Sequence, residues 1–90
     1  MFRIRRIFDD LLPSNRAALA KVRALLAEQF PGLSESEIDP VFERLRDPFA
    51  QRFRPMIYVA ERRHEVRGFA VLLLEPTLHF ALLEYIATDL

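Results

Sequence analysis

One carboxylate stands where carboxylates are rare. In the stretch Leu82-Leu83-Glu84-Tyr85-Ile86-Ala87-Thr88 the only charged side chain is Glu84. Burial disfavours the ionised form of an acid and lifts its pKa toward the range useful for proton transfer near neutral pH. Held among Leu82, Tyr85 and Ile86, Glu84 is therefore a candidate general base. The competing reading is an acid at a bulge or sheet edge, solvated or paired with an arginine. Tyr85 could bind a substrate or act as an acid, though a tyrosine in an apolar strand more often packs in the core with a hydrogen-bonded tip.

Other residue types with chemical potential are poorly placed for it. His64 and His79 are separated and the chain has no cysteine, so neither a metal site nor a disulfide is expected. Ser14, Ser34 and Ser36 fall at expected helix starts and read as caps rather than nucleophiles. Arg3, Arg5 and Arg6 read as a solvated strand edge rather than an anion site. Thirteen basic residues balance thirteen acidic ones, so no net field draws the chain to nucleic acid or an anionic membrane. Twelve of the basic residues are arginine, which suits bidentate anion binding but follows equally from compositional bias. No apolar run reaches the ~18 residues of a membrane span. The opening MFRIRRIFDDLL lacks a continuous apolar segment and is no signal peptide, so a cytoplasmic location is expected.

The elements that position these groups are legible in the spacing. Phe2, Ile4 and Phe8 alternate with Arg3 and Arg5, predicting a short strand with that apolar set on the core. Pro13-Ser14-Asn15 supplies a turn and cap. From Arg16 to Phe30, Leu19, Val22, Leu25, Leu26 and Phe30 form one helical stripe, ended by Pro31-Gly32. Ser34 to Glu37 has the form of a capping box. Asp39-Pro40 then reads as a second cap, which predicts a turn over Ser34–Ile38 and a short helix from Pro40 to Asp47 packing Val41, Phe42 and Leu45, closed by Pro48. A loop over 49–55 follows. Strands are predicted over 56–61, 66–74 and 78–88, joined by turns at Arg62–Glu65 and Glu75–Thr77. The fold class is α+β: strand-helix-helix-strand-strand-strand in a single domain over 1–90, an antiparallel meander covered on one face by helices.

The predicted core does not balance. Strict alternation in the last strand puts Leu78, Phe80, Leu82, Glu84 and Ile86 on one face and His79, Ala81, Leu83, Tyr85 and Ala87 on the other. Both faces are apolar, as they are in the strand before it. Two helices cover one face; nothing remains for the other or for the free edge of the last strand. Five large side chains left bare would forgo roughly 7–15 kcal/mol, as much as the ~5–15 kcal/mol stability of a small domain. The expectation is that the chain's end falls within a fold and that another segment or another chain covers this face.

The element order resembles the N-terminal half of a GNAT-type N-acetyltransferase. FRIRRIFDD with the helix pair, EVRGFAVLLLEP with Gly68, and HFALLEYIATDL carry the likeness, which spans essentially the whole chain. The resemblance implies a cytoplasmic transferase that moves an acetyl group from acetyl-CoA to an amine, with Glu84 as base. It implies that backbone groups of Ile86, Ala87 and Thr88 bind the pantetheine arm and the acetyl carbonyl. The acceptor pocket would be bordered by the loop Ala50–Pro55 and the turn Gly32–Ile38; nothing in the sequence selects the amine.

The departure from the family is at the end. There the fourth strand leads into a Q/R-x-x-G-x-G/A loop and a helix whose amides hold the coenzyme pyrophosphate. Here Leu90 is the last residue, and the only glycines are Gly32 and Gly68. The reading is therefore the N-terminal part of a longer domain, inactive or very weak by itself. The alternative is a non-catalytic interaction module that pairs its exposed sheet face or edge with a second copy or a partner protein. No nucleic acid, membrane or metal is expected as a partner.

Overall fold

The computed structural model describes residues 2–47 and 52–89. The order is β1 (Arg3–Ile7), α1 (Pro13–Gln29), α2 (Glu35–Glu43), β2 (Arg54–Arg62), β3 (Glu65–Glu75) and β4 (Phe80–Thr88). The four strands form one antiparallel sheet in the order β1-β2-β3-β4. The α+β layout expected from the sequence is present, with a four-stranded antiparallel sheet and two helices. Pro48 and Ala50, to which the closing of the second helix and part of the connecting loop were assigned, lie outside the described residues.

The core lies on the helix side of the sheet. Ile7, Ile57, Val59, Phe69 and Val71 meet the stripe Ala18, Leu19, Val22, Leu25 and Leu26 of α1 and the residues Ile38, Val41 and Leu45. Spacings of three and four place the helical set on one face. The first strand reverses the expectation. Ile7 is fully buried, whereas Phe2, Ile4 and Phe8 are half to two-thirds exposed. The Arg5–Ile7 face turns inward because Arg5 finds partners there: its Nε donates to Glu61 Oε1 at 2.7 Å and its Nη1 to Asn15 Oδ1 at 2.5 Å. A satisfied guanidinium removes the cost of bringing that face over the helices.

Both helices start earlier than the sequence pattern indicated. Pro13 opens α1 at a position where its missing N–H costs nothing. Asp9 organises the entry by accepting from the amides of Leu11 and Leu12 and from Asn15 Nδ2. Ser14 thus lies inside the first turn. Ser34 is the N-cap of α2, but through its carbonyl, which accepts from the Glu37 and Ile38 amides; its hydroxyl pairs with that of Ser36. Pro40 is interior to α2 and does not begin a helix. The loss of one helix hydrogen bond there is outweighed by burying Ile38 on the same face as Val41 and Leu45, which a start at Pro40 would forgo. Glu35 and Glu37 in the first turn suit the helix dipole.

The β2–β3 hairpin closes through Arg63 and His64, both at left-handed φ (53° and 66°), bracketed by the pair Arg62–Glu65. This is the two-residue turn that favours Asn-Gly. Non-glycine residues pay for left-handed geometry, so the double substitution R63N/H64G is expected to stabilise the chain by about 1 kcal/mol. For a domain of this size that raises Tm by ~4–8 °C, readable by calorimetry. The β3–β4 turn occupies 76–79, with His79 also left-handed at φ 56° and thus in the turn rather than opening the strand.

β4 does not alternate strictly. Val71 faces Tyr85, but Leu72 faces Leu83, so Glu84 is an extra residue in a one-residue bulge. The bulge swaps faces along the strand. Leu82 now shares the helix side with Tyr85 and Ala87, while Leu83 shares the outer side with Ile86, in place of the common face expected for Leu82 and Ile86. The outer side of the sheet is bare: Ile4, Leu83 and Ile86 are all more than half exposed. A shallow apolar groove of about 230 Å³ runs across it past Ile4, Tyr58, Ala60, Gly68, Ala70 and Ile86.

Candidate functional site

The bulge brings Glu84 and Tyr85 to the same side of the sheet, facing the two helices. Glu84 Oε1 accepts from Arg44 Nη2 at 3.1 Å, and both side chains are about one-fifth exposed. Arg44 follows α2, and its Nε donates to the Pro40 carbonyl at 3.0 Å, so the helix end fixes the guanidinium. The Tyr85 and Phe30 rings pack in a T-shaped arrangement with their centroids 5.3 Å apart. Burial pushes the Tyr85 phenol above its ordinary 10.0; the charges of Glu84 and Glu37 add to this and Arg44 opposes it. The phenol therefore stays protonated at neutral pH and is available as a donor. Glu84 is thus an acid at a bulge paired with an arginine and partly open to solvent.

Beyond the bulge the backbone phase decides what Ile86, Ala87 and Thr88 can do. The Asp89 amide donates to the Arg67 carbonyl at 2.6 Å. In an antiparallel pair, bonded and non-bonded positions alternate, and the register runs unbroken from Tyr85 to Thr88. Tyr85, Ala87 and Asp89 therefore turn their backbone groups toward β3. Ile86 and Thr88 turn theirs to the open edge, where no strand lies among the described residues. Of the three residues singled out, two have free main-chain donors and acceptors, and Ala87 is engaged in the sheet. Gly68 faces Thr88, and a methyl at Gly68 would meet the Ala87 carbonyl oxygen at 3.2 Å.

The remaining charged residues of interest hold the fold together. Arg5, Asn15, Asp9 and Glu61 link β1, α1 and β2, so Arg5 is neither a solvated edge residue nor open to an anion. The hydrogen bond from Arg5 holds the Glu61 carboxyl below its ordinary 4.5 against the opposing effect of burial. A depressed folded pKa contributes stability that is complete above the unfolded value and lost as pH falls through the folded one. Wild type is therefore expected to lose more stability between about pH 5 and pH 3 than Glu61→Gln, measured as urea midpoints at each pH. At Glu75, burial raises the pKa, but bonds from Thr77 and the Leu78 amide, with the charge of Arg52, outweigh it and the net shift is downward. That carboxylate caps the β3–β4 turn through the Thr77 amide at 2.8 Å.

Arg44 is the partner of Glu84 that spacing could not reveal. It lies forty residues from Glu84, and an arginine ending a helix carries no mark of its distant partner. A cleft of about 400 Å³ lies elsewhere, between the first turns of α1 and the β2–β3 hairpin. Ser14, Lys21, His64, Arg67 and Asp89 line it, with Lys21 paired to Asp89 and Arg67 to Glu65. Its charges are mutually satisfied, whereas the open backbone groups lie at the β4 edge. Among the described residues, no cluster of three His, Asp or Glu has metal-ligand geometry, and no helix is long and apolar enough to cross a membrane. No protein-family model and no curated protein matches the chain.

Proposed function

We propose that the chain is the N-terminal portion of a GNAT-type N-acetyltransferase. In this reading it transfers an acetyl group from acetyl-CoA to an amine by direct attack. The observation that carries the proposal is the bulge at Glu84, followed at once by open-edge backbone groups at Ile86 and Thr88. The acceptor amine gives its proton to Glu84, directly or through a water, and its lone pair attacks the thioester carbonyl carbon. The oxygen that gains charge is met by a main-chain N–H of β4. The carbon–sulfur bond then breaks, and the thiolate leaves and takes up a proton. Arg44 holds the Glu84 carboxylate in place between helix and strand.

Outward amides at Ile86 and Thr88 suit the amide-bearing arm of the coenzyme. The pyrophosphate is another matter: Gly68 is inside β3 and Gly32 lies between the helices, so these residues offer no phosphate loop. In this reading the rest of the domain brings that loop and covers the outer sheet face. Titrating acetyl-CoA into ¹⁵N-labelled chain tests the proposal. Saturable shifts of the Ile86 and Thr88 amides are expected, with affinity weakened by the lack of pyrophosphate contacts. No response at millimolar acetyl-CoA would remove its basis. The bare outer face and open edge also favour the second reading, an interaction module without catalysis.

A further inference from the structure

The two edges of the sheet are built differently. β1 carries Arg3 and Arg6 on either side of the inward-tied Arg5, the charged kind of edge that discourages pairing. β4 has no lysine, arginine or proline, and its one acid, Glu84, is turned toward Arg44 on the helix side. Phe80, Leu82, Leu83 and Ile86, the large aliphatic and aromatic residues of β4 other than Tyr85, are all exposed, from 39 to 61%.

The bulge gives this edge a particular symmetry. On the C-terminal side of Glu84 the outward backbone groups belong to Ile86 and Thr88. On the N-terminal side, the register Leu72–Leu83 and Leu74–Ala81 assigns them to Leu83 and Ala81. These four positions are palindromic about a point between Glu84 and Tyr85. An antiparallel copy of β4 can therefore place Leu83 opposite Ile86 and Ala81 opposite Thr88, each pair exchanging main-chain bonds, and the same contacts recur across the two-fold axis. Leu83 and Ile86 then pack together on the outer face, and Leu82 lies beside Ala87 of the second copy. Each Glu84 keeps its own Arg44 as counter-charge near the axis.

The areas agree. The chain exposes 6077 Å², whereas a folded monomer of its mass exposes roughly 5,500 Å². The excess of about 600 Å² is summed over the whole chain, to which the exposed β4 residues contribute, and is of the order of the ~800 Å² per partner that a stable interface buries.

We infer that the β4 edge is a homodimer interface, in which two copies of this chain join their sheets antiparallel about the Glu84 bulge. The inference rests on the second reading, the interaction module, because the Ile86 and Thr88 main-chain groups cannot serve a second copy and acetyl-CoA at once; the test omits acetyl-CoA, so its outcome is read without that competition. In sedimentation equilibrium at tens of micromolar, the ninety-residue chain is expected at about 21 kDa, twice its 10.6 kDa. Hydrogen exchange should find the amides of Ala81, Leu83, Ile86 and Thr88 protected. Leu83→Lys and Ile86→Pro, at positions whose backbone groups β3 does not use, should give monomers with an unchanged circular dichroism spectrum. A monomeric wild type, free exchange at those four amides, an open series of larger species, or dimers that survive both substitutions would each overturn the inference.

Discussion

On the proposed acetyltransferase reading, Glu84→Gln is expected to slow acetyl transfer about 10²- to 10⁴-fold, the usual contribution of a positioned general base. The measurement belongs in a protein that carries this chain together with the rest of an acetyltransferase domain, with thiol release as the readout. Glutamine keeps the size of the side chain and an oxygen for Arg44 Nη2, now 3.1 Å from the carboxylate, so the sheet and bulge should persist. What it loses is the ability to take a proton. Two further readouts separate base from scaffold. The loss should fall on kcat rather than KM, and Glu84→Asp, which keeps a carboxylate, should recover part of the rate that Glu84→Gln loses. If the rate is unchanged, Glu84 serves only to anchor Arg44 against the bulge, and the base lies elsewhere.

Leu26→Ala is expected to lower the free energy of unfolding by about 2–5 kcal/mol, a large share of the ~5–15 kcal/mol available to a small domain. Leu26 is fully buried, in a stripe with Val22 and Leu25 that meets Ile57 and Val71 on the sheet. The deleted atoms lose their transfer free energy and leave a cavity that two helices on one sheet face cannot readily collapse. The bare outer face offers no second layer to compensate. Urea titration should give a lower midpoint with an unchanged slope. The same truncation at Leu83, 56% exposed on the outer face, should cost far less in a monomer. A comparable loss at both positions would mean that the outer face is covered in solution.

The dependence on one layer also explains the acid sensitivity expected of Glu61. The β1–β2 edge is tied to α1 by a polar chain from Glu61 through Arg5 and Asn15 to Asp9. Asn15 is 5% exposed, so the chain is costly to leave half made. Hydrogen bonds from the Leu11 amide and from Asn15 hold the Asp9 carboxyl below its ordinary 3.8. Protonation at either end therefore weakens the anchoring of the first strand, which has few other buried contacts besides Ile7.

The sequence alone determined the kinds of element, their order, the buried stripe of α1 and the surplus of apolar surface on the later strands. Each of these depends on near neighbours and on a fixed period, 3.6 in a helix and 2 in a strand, which a linear pattern carries. It also singled out Glu84, a lone acid in an apolar run, and named a bulge with an arginine as one of its two possible settings. Tertiary structure alone decided which face of β1 is inward, because Arg5 finds Glu61 fifty-six residues away. It decided that α2 runs through Pro40, because burying Ile38 outweighs one backbone bond. It decided the face of every residue in β4, because an unpaired residue inverts the alternation beyond it, and only the register against β3 locates that residue. The partner of Glu84 and the outward amides of Ile86 and Thr88 follow from that register, which is a property of two strands together and is written in neither.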